Sequence, residues 1–147
     1  ADERGYYFDV CSLYAWLYSQ PGEVFPDFEW SHIGRQIATN GIAYLENDFN
    51  GMLGFWAGVK PVIIDRFALT DPFLARIPVS DAKNWRIGHF KREVPEEYRR
   101  SIETGQNKFS DAATAALFDK IQLATREAQL FTLKRFMAIV KLNCGIN

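Results

Sequence analysis

The sequence predicts an α/β fold: a small, mainly parallel sheet of three to four strands flanked by helices, with a helical C-terminal third. Two short apolar runs, 42–45 and 59–65, are separated by segment 49–58, whose glycines permit a helix to pack closely on a sheet. The order strand, helix, strand implies a parallel pair joined by a crossover. After Pro95, apolar residues recur at helical spacing almost to the end of the chain.

Two helices are predicted before the first strand. The first covers 3–19, and apolar residues share one of its faces: Tyr6, Val10, Leu13 and Leu17. Pro21 and Gly22 follow it and favour its termination. The second covers 29–39, with Asp27 as its expected N-cap and Gly41 just beyond its C-terminus.

A loop punctuated by prolines follows the second predicted strand. Asp71 before Pro72 is typical of a helix start, because the carboxylate accepts from a free N–H and proline loses no bond there. Residues 73–77 make that short helix, which Pro78 ends. Residues 85–90 alternate with a period of two, which predicts a third strand.

Three helices are predicted in the C-terminal third, at 96–104, 111–127 and 130–142. Gly105 ends the first of them. The last is strongly apolar, and we expect one stripe of it to face the core: Leu133, Phe136, Met137 and Val140.

Composition limits the function. A chain of 147 residues predicts one domain, 1–147, and a net charge of −1 without a nucleic-acid motif argues against nucleic acid as a partner. The two histidines are isolated and no CxxC spacing occurs, so no metal or other cofactor is expected. Cys11 and Cys144 are interpreted as small buried hydrophobes, with a disulfide between them as the alternative.

Aromatic residues are concentrated at the start of the chain. Six occur in the first 18 residues: Tyr6, Tyr7, Phe8, Tyr14, Trp16 and Tyr18. A helix that packs them into the core is one interpretation, and a segment at the headgroup level of a membrane is the other. No apolar run approaches the length that spans a bilayer. Because the chain starts inside a predicted helix, we expect a domain excised from a larger protein.

Candidate ligand-binding residues surround the end of the central strand. They are Asp65, Arg66, Arg76, Trp85, Arg86, His89 and Arg92. Ligands of open α/β sheets bind at the carboxyl ends of strands, and a basic patch with an interleaved tryptophan suits a phosphate or a stacked sugar. The alternatives are a structural Asp65 and a solvated basic face. No nucleophile elbow or phosphate-binding loop is present, so no catalytic residue is assigned.

Several segments carry a family resemblance. They are 2–7, 51–58, 64–66, LTDPFLARIP at 69–78, WRIGHF at 85–90, 94–95 and 141–143. The resemblance that they carry extends over nearly the whole chain. It resembles the C-terminal extracytoplasmic domain of membrane glycosyltransferases of the GT-C type, and most closely the bacterial arabinofuranosyltransferase-like group.

The resemblance implies a sugar donor carried on polyprenyl phosphate, an extracytoplasmic (periplasmic) location, and the membrane-embedded part of the same parent chain as partner. In that family the catalytic acidic residue lies on a loop of the membrane-embedded part. We therefore expect an accessory domain, not catalytic alone, that helps to bind acceptor glycan or donor phosphate. An interaction module with no ligand contact and a free-standing enzyme remain the alternative hypotheses.

Overall fold

Seven α-helices and two strands are found in the computed structural model, which describes residues 3–48, 50–83 and 87–145. The helices are α1 (Glu3–Cys11), α2 (Leu13–Tyr18), α3 (Glu29–Asn40), α4 (Gly51–Ala57), α5 (Glu96–Thr104), α6 (Ala112–Arg126) and α7 (Leu133–Cys144). The strands are β1 (Tyr44–Asn47) and β2 (Val62–Asp65), and a 3₁₀ helix covers Leu74–Arg76. None of the described helices has the length and apolar character required to cross a membrane.

The described residues form two compact units, one up to Asp65 and the other from Arg66 onward. In the first unit, β1 and β2 pair in parallel, with Tyr44 opposite Val62 and Asn47 opposite Asp65. Helix α4 connects them, so the predicted strand–helix–strand order and the parallel pairing are confirmed.

The core of the first unit forms where α3 packs on α4. Ile37, Leu53 and Ala57 are its buried centre. Four half-buried residues surround them: Trp30, Ile33, Leu45 and Ile63. Gly34 is also buried, because α3 crosses α4 so closely there that its Cα faces the backbone of Leu53.

The core of the second unit is aromatic. The Phe73 ring stacks on Tyr98 at 4.5 Å between centroids and lies 5.0 Å from Phe109. Phe118 of α6 contacts the Phe109 ring at 5.5 Å. Four ring side chains, two from helices and two from loops, therefore enclose one apolar centre.

Arg135 ties α7 to the end of α6. Its Nε donates to the Ala124 carbonyl and its Nη1 donates to the Glu127 carbonyl, each at 3.1 Å. The last carbonyls of a helix have no partner within the helix, so a guanidinium that binds them terminates α6 and fixes the approach of α7.

The sheet is smaller than predicted, with two strands in the described residues instead of three to four. Of the predicted third strand, 85–86 lie outside the described residues, and Ile87 and Gly88 form a turn. Gly88 has a φ of +77°, which an extended strand does not tolerate.

Three local predictions are also wrong. Helix 3–19 is interrupted at Ser12, whose hydroxyl accepts from the Ala15 N–H at 3.0 Å and starts α2. The N-cap of α3 is Phe28, not Asp27, whose carboxylate instead accepts from His32 Nε2 at 2.7 Å. Both cysteines are free, but Cys144 is exposed and is not a buried hydrophobe.

Three of the four residues in the predicted inner stripe of α7 face outward, and the fourth, Val140, is half-buried. Leu133 is 76%, Phe136 60% and Met137 45% exposed, while Ala138 on the opposite side is buried. The helix therefore packs on α6 through its smaller and more polar face and leaves its apolar face uncovered.

Candidate functional site

The strongest candidate site is a cavity of about 420 Å³ in the second unit, lined by α6, α7 and the 3₁₀ helix. Three cationic side chains line it: Arg76, Lys120 and Lys141. Its remaining walls come from Ala113, Thr114, Leu117, Leu142 and Gly145. The volume lies within the range typical of small-molecule pockets.

The described lining of this cationic cavity carries positive charge only. No carboxylate is among its described lining residues. Within the described part of the chain, the side chains of Lys120 and Lys141 make no ion pair or hydrogen bond, and Arg76 donates from Nη1 to the Pro72 carbonyl at 2.6 Å. Positive charges that converge on one concavity raise the local concentration of anions there. A phosphate or carboxylate is the ligand that this arrangement favours.

Two of the three cations, Lys141 and Arg76, also have an ordinary structural role that explains their position. Lys141 lies in the last turn of α7, where a positive charge interacts favourably with the helix dipole. Arg76 closes the last turn of the 3₁₀ helix by donating to Pro72. Those roles explain the two residues separately, but they do not explain why both side chains and Lys120 line the same cavity.

Two other cavities are less suited to an anion. One of about 600 Å³ includes Glu93 and Glu96 in its lining. Another, of about 410 Å³ beside Trp16, includes Glu23. A carboxylate in the wall repels phosphate, so the cationic cavity is the better candidate.

Of the described residues that were predicted to bind a ligand, only Arg76 lines the cationic cavity. Trp85 and Arg86 lie outside the described residues. Asp65 ends β2 and is 2% exposed, so its carboxylate is not presented to solvent.

The remaining predicted residues take part in local structure. Arg92 donates from Nε to the Ile77 carbonyl at 3.0 Å and from Nη1 to the Phe90 carbonyl. Its own N–H donates to the Arg66 carbonyl at 2.7 Å. His89 packs edge-on against Phe67, 4.9 Å between ring centroids. Arg92 therefore braces the proline-rich loop, and its guanidinium is already engaged.

Lys120 and Lys141 were not among the predicted site residues. Each is a lysine inside an otherwise largely apolar helical stretch, and this is the sequence feature that could have identified it as a candidate site residue. Their convergence depends on the packing of α6 against α7, which no local pattern reveals. Among the described residues, no group of three or more His, Cys, Asp or Glu side chains could hold a metal ion.

Asp71 supports the cavity wall from within the core. It is 3% exposed, and its Oδ1 accepts from the N–H groups of Phe73 at 2.9 Å and Leu74 at 2.8 Å. Its Oδ2 accepts from the Tyr98 hydroxyl at 2.9 Å. The prediction that Asp71 accepts from free N–H groups at this helix start is confirmed, but the N-cap directly before the 3₁₀ helix is Phe73. The Tyr98 bond ties α5 to the segment that presents Arg76.

Burial raises the pKa of Tyr98 well above its ordinary value of 10.0, and the charge of Asp71 and its hydrogen bond act in the same direction. Above about pH 10 an unfolded chain loses this phenolic proton while the folded chain keeps it. We therefore expect the free energy of unfolding of the second unit to fall as the pH rises above about 10.

Urea midpoints measured from about pH 9 to about pH 11 check this expectation. Tyr98→Phe removes the titrating group and should flatten the decline, whereas Tyr18→Phe, at a position 70% exposed, should leave it unchanged. Equal slopes for the wild type and Tyr98→Phe would show that Tyr98 is not the group responsible.

The chain matches no protein-family model, no curated protein and no solved structure in comparisons with known proteins.

Proposed function

We propose that the chain is an accessory domain of a membrane-bound glycosyltransferase that uses polyprenyl-phosphate sugars, at the extracytoplasmic (periplasmic) face of the membrane. Its role is to help hold the phosphate of the lipid-linked donor. No residue of this chain is assigned a catalytic role. The observation that carries the proposal is the cationic cavity, whose three positive side chains face no acidic residue among those described.

The composition of the cavity favours the donor phosphate over a neutral acceptor glycan. Phosphate gains charge-assisted hydrogen bonds from Arg76, Lys120 and Lys141, whereas a neutral sugar does not need three cations. Leu117 and Leu142 supply apolar wall beside the charges, which suits a phosphate that carries a prenyl chain. The LTDPFLARIP segment of the resemblance includes Arg76, and the closing LN pair follows Lys141.

The exposed aromatic residues of α1 and α2 support a position beside a membrane. Tyr14 is 62%, Trp16 54% and Tyr18 70% exposed. Tyrosine and tryptophan favour the level of the lipid headgroups, because each joins an apolar ring to a polar atom. In the proposed arrangement this aromatic surface lies near the headgroups, and the membrane-embedded part of the parent chain is the partner.

NMR titration with three probes tests the proposal: inorganic phosphate, geranyl phosphate and arabinan oligosaccharide. We expect both phosphates to shift the amide signals of 114–120 and 141–145. Geranyl phosphate should do so at a lower concentration than inorganic phosphate, because contact with the apolar wall adds affinity. The oligosaccharide should leave these signals in place. Absent shifts with both phosphates, or shifts spread over both units, would contradict the proposal.

A second candidate function is an interaction module that makes no ligand contact. The observation that favours it is the exposure of large apolar side chains on α1 and α2, with Tyr6 74% and Leu13 71% exposed. Under this alternative all three probes leave the spectrum unchanged, so the same titration separates the two functions.

A further inference from the structure

We infer that α7 and the loop before it form a docking face for a bilayer that contains acidic phospholipids. The docking face consists of the exposed apolar residues Leu130, Phe131, Leu133, Phe136 and Met137, with Lys134 and Lys141 beside them. Apart from Lys141, which also lines the cationic cavity, its residues lie outside the lining of that cavity. The inference does not depend on the proposed function.

Exposure of the apolar residues is the first observation. Phe131 is 100%, Leu133 76% and Leu130 63% exposed. Leu133, Phe136 and Met137 follow the i, i+3, i+4 spacing that places side chains on one face of a helix. Contact between an uncovered apolar helix face and water is unfavourable in free energy, and a lipid environment removes that contact.

Charge is the second observation, and it decides the occupant. Helix α7 contains Lys134, Arg135 and Lys141 and no acidic residue. Lys134 and Lys141 are seven positions apart, so they flank the apolar face on the same side. An apolar helix face flanked by lysines complements lipid acyl chains bordered by anionic headgroups.

The same charges argue against a second copy of the chain as the occupant. A two-fold pair brings each docking face against its own copy, so lysines meet lysines with no carboxylate of α7 to balance them. Unlike α7, helices α1 and α2 have no basic residue in the last turn.

Co-sedimentation of the chain with vesicles tests the inference. We expect binding to vesicles of equimolar phosphatidylcholine and phosphatidylglycerol, weaker binding to phosphatidylcholine alone, and loss of binding as salt is raised. Leu133→Glu with Phe136→Glu should weaken binding to the mixed vesicles at least about tenfold. Lys134→Ala should weaken it about fivefold.

Matched variants separate the docking face from general surface effects. Phe55→Glu replaces a side chain that is 76% exposed in the first unit, and Lys83→Ala removes an exposed lysine from a loop. Both should bind the mixed vesicles as the wild type does. All variants alter exposed side chains, and circular dichroism confirms that each is folded.

Three results would overturn the inference. They are a wild-type chain that stays in solution with both vesicle types, equal losses for Phe55→Glu and the α7 double variant, or a dimer in light scattering that Leu133→Glu dissociates. Failure of the vesicle test leaves phosphate binding by the cavity intact, because Lys134 and the apolar face do not line it.

Discussion

Asp71→Ala should destabilise the second unit by about 3–5 kcal/mol, because three hydrogen bonds in the core lose their acceptor at once. The N–H groups of Phe73 and Leu74 and the Tyr98 hydroxyl would remain buried, since these residues are 1%, 0% and 3% exposed. Water cannot replace the carboxylate without opening the aromatic core. Chemical denaturation followed by a probe in the second unit measures the loss.

Asp71→Asn is the matched control. Its amide oxygen can still accept from the two N–H groups, and its NH₂ can donate to the Tyr98 oxygen, so we expect a loss of only about 1 kcal/mol. Tyr98→Phe removes the third bond alone and should fall between the two. Similar stabilities for Asp71→Ala and Asp71→Asn would contradict the role given to this carboxyl group.

Gly34→Ala should destabilise the first unit by about 1–3 kcal/mol although alanine is the better helix former. A Cβ at this position would overlap the Leu53 carbonyl oxygen and lie 3.0 Å from Trp56 Cβ and 3.1 Å from the Ala57 nitrogen. These are backbone atoms or a Cβ, which cannot rotate away. Helix α3 would therefore have to move off α4, which separates Ile37 from Leu53 in the core.

Gly54→Ala provides the comparison within the same core. Its Cβ would lie 3.7 Å from Ile63 Cδ1, which is ordinary contact, so the gain in helix propensity of up to about 1 kcal/mol should dominate. Thermal denaturation of the two variants should give shifts of opposite sign. A Gly34→Ala variant as stable as the wild type would show that α3 and α4 do not pack this closely.

The sequence predicted elements best where local chemistry marks both ends. Helix α5 covers Glu96–Thr104 as predicted, because Pro95 precedes it and Gly105, with a φ of +67°, follows it. The parallel pairing of β1 and β2 was also predictable, since the helix between two apolar runs leaves few other connections. The prediction of a third strand was wrong because the alternation of residue types over 85–90 does not reveal the left-handed turn at Gly88.

The orientation of α7 could not be predicted from its pattern. Periodicity shows that Leu133, Phe136 and Met137 share a face, but it does not show whether that face is turned toward the core. The Arg135 bonds to the carbonyls at the end of α6 fix the rotation of α7, and they depend on tertiary structure.

The candidate site was predictable only in part. Arg76 was identified from its loop, whereas Lys120 and Lys141 join it through the packing of α6 on α7. Arg92 was predicted to bind a ligand, but its guanidinium binds the Ile77 carbonyl within the same loop. A sequence motif that contains a basic residue does not reveal whether that side chain already donates its hydrogen bonds to backbone carbonyl groups of the same chain.

The most direct test of the central claim is the affinity for geranyl phosphate of the wild type and of the Lys120→Ala/Lys141→Ala variant. Each lysine should contribute about tenfold through a charge-assisted hydrogen bond, so we expect the variant to bind about a hundredfold more weakly. The control variant Lys108→Ala/Lys134→Ala removes the same charge outside the cavity and should retain the wild-type affinity. Equal affinities for all three proteins, or an equal loss in both variants, would contradict the claim that this cavity holds a phosphate.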